Sequence, residues 1–183
     1  LRLTGGNRIL GLLRPWNAPR AHNRTGGFAV TPELTVFLAG IMQGSLPDRM
    51  HAQEYRREIA ALVEAHLPGA RVYDPFLEHP GSLDFDESTA REVFFDLMAR
   101  AGRAEVLIAF LPEASMGTAI EMWSAYHAGA IILAVSPLEA NWVVRFLSDR
   151  IFPDVASLES FLAGGGLETL LAEKVGLGPE AMP

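Results

Sequence analysis

The densest chemistry in the chain lies at residues 112–121, Pro-Glu-Ala-Ser-Met-Gly-Thr-Ala-Ile-Glu, directly after an almost wholly apolar run, 105–110. Ser115 and Thr118 bring hydroxyls, Glu121 brings a carboxylate, and Gly117 lets a ligand come close to the backbone. A helix opening here would present its free first-turn N–H groups to an anion, and the same field would keep Glu121 charged. An ionised carboxylate at the ligand-facing end of a sheet is what covalent glycosyl transfer requires, because it must attack an anomeric carbon as the leaving group departs. A second reading of the same residues stays open. Thr118-x-x-Glu121 has the form of a capping box, in which Glu121 only returns to a backbone N–H.

Such a segment needs a scaffold, and from residue 34 the pattern supplies one. Short apolar runs alternate with helix-period segments, the signature of a parallel sheet covered on both faces. Strands are predicted at 34–39, 71–73, 105–110 and 131–135, with a short edge strand at 151–152. Helices are predicted at about 50–66, capped by Ser45 or Asp48, and from a capping box at 89–92 to about 101. Others follow at about 118–128, closed by Gly129, then 141–148, 157–162 and 167–174. This βαβα order predicts a single α/β domain with a doubly wound, flavodoxin-like or Rossmann-like sheet, whose ligand sits beyond the carboxyl ends of the strands. The domain is assigned to residues 32–175. Residues 1–31 read as a disordered or artefactual extension and 176–183 as a tail.

Composition narrows the partners. The 183 residues carry 15 Lys plus Arg against 22 Asp plus Glu, a net charge of −7. That balance disfavours a nucleic-acid polymer or an anionic membrane and favours a small ligand. There is no Cys, which removes disulfides, thiolate metal sites and a cysteine nucleophile. No apolar run approaches the roughly 20 residues of a spanning helix, and a cytoplasmic location is expected. The loop 74–86 holds Asp74, Glu78, His79, Asp84 and Asp86 without compact metal-ligand spacing, so it is read as a lid and no metal site is assigned. No Gly-x-Ser-x-Gly elbow, Walker loop or Gly-x-Gly-x-x-Gly fingerprint is present. Trp123 and Trp142 are read as core or interface aromatics.

Thr35-Val36-Phe37-Leu38-Ala39-Gly40, then Asp96-Leu97, then Gly117-Thr118-Ala119-Ile120-Glu121 with Ser124-Ala125-Tyr126 and Gly129 form an ordered set. Together they resemble the nucleoside 2-deoxyribosyltransferase-like superfamily, which includes the 2′-deoxynucleoside 5′-monophosphate N-glycosidases. The likeness covers about residues 34–149. It implies that Glu121 is the nucleophile, that Asp96 assists at the nucleobase, and that Phe37, Gly40, Gln43, Ser115, Gly117 and Thr118 border the substrate. It also implies that Asn141, followed by Ser148-Asp149, reaches the sugar in a neighbouring subunit, and hence a homodimer or higher homo-oligomer. The implied substrate is a nucleoside or nucleoside 5′-monophosphate, with no cofactor.

Departures accompany the likeness. Phe37 stands where the transferases often carry Tyr, removing a hydroxyl beside the nucleophile. Ser115 replaces their Asp and resembles the phosphate-contacting Ser of the monophosphate glycosidases, yet Ile41 and Gln43 replace that group's first-loop Ser and Arg. Bland readings stand beside each assignment: Asp96 lies outside the apolar arc of its helix and reads equally as a solvated acid, while Asn141 and Ser115 read equally as helix caps. Two other functions remain open, a non-catalytic nucleotide-binding or signalling module and a glycohydrolase of NAD-like dinucleotides.

Overall fold

The computed structural model describes residues 34–43 and 50–176; the readings of residues 1–31 and of Ser45 and Asp48 as caps fall outside them. Strands β1 (Thr35–Gly40), β2 (Arg71–Tyr73), β3 (Val106–Phe110), β4 (Ile131–Val135) and β5 (Arg150–Phe152) form one sheet. All pairings are parallel and the order is β2-β1-β3-β4-β5. This is the flavodoxin-like winding, which reverses between β1 and β3. The α/β doubly wound reading therefore stands.

Successive strand residues point to opposite faces, and the two faces build two cores. Val36, Leu38, Val106, Ile108, Ile131 and Leu133 pack under α1 (Glu54–His66), α6 (Val155–Ala163) and α7 (Gly166–Gly176). Phe37, Ala39, Leu107, Ala109, Ile132 and Ala134 face α3 (Glu87–Ala101), α4 (Met116–His127) and α5 (Trp142–Leu147). On this second face Ala39, Ala109 and Ala134 stand side by side in register. The row of small side chains leaves room for α4, whose Met122 and Ala125 are fully buried against the same core.

Several helix starts differ from the sequence reading. The first helix begins at Glu54, not near 50, after Gln53, whose side chain makes no capping bond. The capping box at 89–92 does not open α3; Asp86 does, accepting from the Thr89 N–H at 2.7 Å. The loop 74–86 is partly helical, with α2 (Pro75–Glu78) capped by Asp74 and a short 3-10 turn at Ser82–Asp84. Gly129 does close α4 in the left-handed conformation at φ 79°. No helix among the described residues is long and apolar enough to cross a membrane.

Candidate active site

Ser115 lies in extended conformation after β3 and caps α4, its Oγ accepting from the Thr118 N–H at 3.3 Å and from the Thr118 hydroxyl at 3.0 Å. The cap is thus set three residues before Thr118, and Thr118 occupies the position a capping box would give to an acid. Glu121 falls in the second turn of α4, beyond reach of a capping role. The capping-box reading of Glu121 is excluded by this shift of register.

In front of that turn lies a cavity of about 370 Å³ at the carboxyl ends of β1 and β3. Gly40, Met42, Gln43 and Met50 form one side; Ser82, Leu83 and Phe85 come from the segment between α2 and α3. Val93, Phe94 and Leu97 of α3 form an apolar wall, and residues 114–118 with Glu121 complete the floor. Among the described residues lining it, Glu121 is the one ionisable side chain. Of the residues marked from sequence, Gly40, Gln43, Ser115, Gly117, Thr118 and Glu121 meet here. Gly117 presents open space where a Cβ would stand, as close approach of a ligand requires. Gly40 has a different reason: a side chain there would run into the Tyr55 hydroxyl.

Three of the marked residues lie elsewhere. Phe37 is buried in the core and stacks on Tyr73 at 5.5 Å, underneath the cavity instead of in its wall. Asp96 is half-exposed and pairs with Arg100 one turn along α3, outside the cavity lining. Asn141 caps α5, its Oδ1 accepting from the Val143 and Val144 N–H groups at 3.0 and 3.4 Å. It borders a smaller hollow of about 190 Å³ between α4 and α5, which shares Ser115 with the main cavity. Asp149 is engaged by the Ile132 N–H at 2.7 Å and by Lys174 at 3.3 Å.

The electrostatics also differ from expectation. Burial pushes the Glu121 carboxyl up to about 8, against the opposing pull of the Arg56 charge. The field of the first helical turn does not keep it charged, because Glu121 sits in the second turn and the desolvation of its carboxyl outweighs that field. Arg56 is the residue that the sequence reading passed over. It is 2% exposed, forms an ion pair with Asp74 at 2.8 Å, and donates to the Leu38 and Gly40 carbonyls at 3.0 and 3.2 Å. Its Nε donates to Gln53 Oε1 at 2.6 Å. The signal was available: Arg56, Ile59 and Val63 share one helical face, so a cation sat in line with core positions. Asp74 is likewise taken up by Arg56 and by the Phe76 N–H at 3.0 Å, and no group of three or more His, Asp or Glu among the described residues is arranged to hold a metal ion.

The fold has solved counterparts. A 2-deoxyribosyltransferase from the psychrotolerant bacterium Bacillus psychrosaccharolyticus superposes with a TM-score of 0.53 at 16% identity, over 68% of this chain and 90% of that one. The solution structure of BlsM superposes with a TM-score of 0.57 at 20% identity, over 81% of this chain and 97% of that one. The chain has the fold of these proteins. No protein-family model and no curated protein matches its sequence.

Proposed function

We propose that the chain is an enzyme of the nucleoside 2-deoxyribosyltransferase-like superfamily that cleaves or transfers the N-glycosidic bond of a nucleoside or nucleoside 5′-monophosphate. The observation that carries this reading is Glu121, the one ionisable group among the described lining of a sugar-sized cavity at the switch point of the sheet. The Glu121 carboxylate attacks C1′ while the bond to the base breaks; the base leaves with the bonding electron pair and takes up a proton. Because Asp96 faces Arg100 outside the cavity, that proton comes from solvent. Water or a second base then attacks C1′ and displaces Glu121 as a carboxylate, giving hydrolysis or transfer. Phe85 and Phe94 offer apolar surface for the base, and Ser115 with the Gly117 backbone takes the sugar or its 5′ substituent.

A homo-oligomer fits the outer face of α4 and α5, where Trp142, Phe146 and Trp123 are all more than half exposed. Light scattering on the purified chain tests this, with a monomer as the contrary result.

A second reading, a nucleotide-binding module without turnover, is favoured by the raised pKa of Glu121 and by Phe37, which brings no hydroxyl to it. One experiment separates the two. Incubation with a panel of nucleosides, 5′-monophosphates and NAD, followed by chromatography, should yield free base, and Glu121→Gln should reduce its release by about 10³-fold or more while the fold persists. Full turnover in that variant excludes Glu121 as nucleophile; binding without base release in the wild type favours the module.

A further inference from the structure

Two charged side chains are buried under the cleft without lining it. Arg56 of α1 reaches up to the carboxyl end of β1, where the Gly40 carbonyl that accepts from it belongs to a cavity-lining residue. Asp74, at the carboxyl end of β2, clamps the guanidinium from the side at 2.8 Å and is itself 6% exposed. All three guanidinium nitrogens donate to fixed acceptors on Gln53, Leu38, Gly40 and Asp74, so the cation has one position. A buried pair of this kind adds little stability compared with well-packed apolar residues, which leaves its place beneath the site to be explained by what it does there.

We propose that Arg56 is a positioning residue for the reaction: held by Asp74 and the β1 carbonyls, it places a fixed positive charge below the cavity that favours the negative charge of the partly buried Glu121 carboxylate. This rests on the reading of Glu121 as nucleophile. Asp74 tunes the effect in the opposite sense, since its own charge partly cancels that of Arg56. The other groups around Glu121 do not substitute for Arg56. Tyr55 of α1 and Tyr73 of β2 are both pushed to higher pKa by burial and stay neutral near neutrality. On α3, Asp96 and Arg100 form a half-exposed pair outside the cavity, and on α5 Arg145 lies over the ring of exposed Phe146. Burial raises the Glu121 carboxyl and the Arg56 charge opposes it.

The test is a carboxyl-carbon NMR titration of Glu121 in the full chain, assigned by its loss in Glu121→Gln. Relative to wild type, Arg56→Gln should raise the Glu121 midpoint by about one unit and Asp74→Asn should lower it, while Arg56→Lys should stay near the wild-type value. Where base release is measurable, the acidic limb of its pH profile should move with the midpoint. A purely structural role predicts no shift or shifts of one sign in both variants, and either result overturns the proposal. Should Arg56→Gln fail to fold, the downward shift in Asp74→Asn, which keeps both hydrogen bonds, decides. The titration needs no substrate, so its failure is distinguishable from an absence of base release, which bears on the proposed reaction instead.

Discussion

The cleft has two sides built from the same pairing chemistry with opposite outcomes. On the β1–β2 side Arg56 and Asp74 are 2% and 6% exposed, lie 18 residues apart in the chain, and Arg56 donates from all three guanidinium nitrogens. On the α3 side Arg100 and Asp96 are 46% and 40% exposed and sit one turn apart on a single helix. Water screens the second pair, so its contribution is small and local. The first pair is cut off from water, so each partner depends on the other, and the Arg56 charge acts on Glu121. Burial, more than the identity of the partners, decides which ion pair matters to the site.

The sharpest way to break this contrast is to remove one buried partner. Asp74→Ala leaves the Arg56 charge uncompensated and removes the cap of α2, and should lower stability by about 3–5 kcal/mol in denaturant melts. A loss under about 1 kcal/mol would show the buried pair to be no different from the exposed one.

Next in size is the pH dependence that Glu121 imposes. Its carboxyl titrates at about 8 in the folded chain, against about 4.3 when unfolded. Between those values the folded chain keeps a proton that the unfolded chain has released, so stability declines as pH rises through this window and the effect is complete above it. Thermal melts should therefore show Glu121→Gln gaining on the wild type from about pH 5 to about pH 8.5. Base release, which uses the carboxylate, should rise through the same region. A constant difference in melting temperature across the range would mean that Glu121 titrates as an ordinary carboxyl.

Gly117→Ala probes the floor between the two sides. The position is helical and a Cβ there meets nothing, so the change should raise stability by up to about 1 kcal/mol. The same methyl group projects toward the cavity and should weaken nucleoside binding in calorimetric titration. Stability and binding both unchanged would separate Gly117 from the ligand.

The smallest effect is expected from Asp96→Asn. It breaks an exposed pair one turn apart and should change stability by no more than about 0.5 kcal/mol. Base release should stay within about threefold of wild type if the charge lies outside the cavity. A fall of about 10²-fold would instead restore Asp96 as the group that helps the base depart.

Much of this architecture was legible in the residue order. The short apolar runs marked β1, β3 and β4 as strands buried on both faces, and the run from Ser115 to Glu121 marked the segment at the cleft. Helix starts were less legible because a cap is a contest among nearby side chains: Asp86 prevailed over Thr89, and Ser115 over Thr118. The ambiguity of Glu121 dissolved with that second contest, since one turn of displacement moved it from a cap into the cleft. Asn141 went the other way, to a cap.

The sequence by itself determined the parallel α/β winding and the presence of one acid in the right loop, because periodicity and local spacing are properties of the chain. Only the tertiary structure decided that this acid is partly buried and reluctant to ionise, that Asp96 stands outside the cleft, and that Arg56 and Asp74 lie beneath it. Dielectric environment and charge-to-charge distance arise from packing between elements far apart in the chain, and no local pattern encodes them.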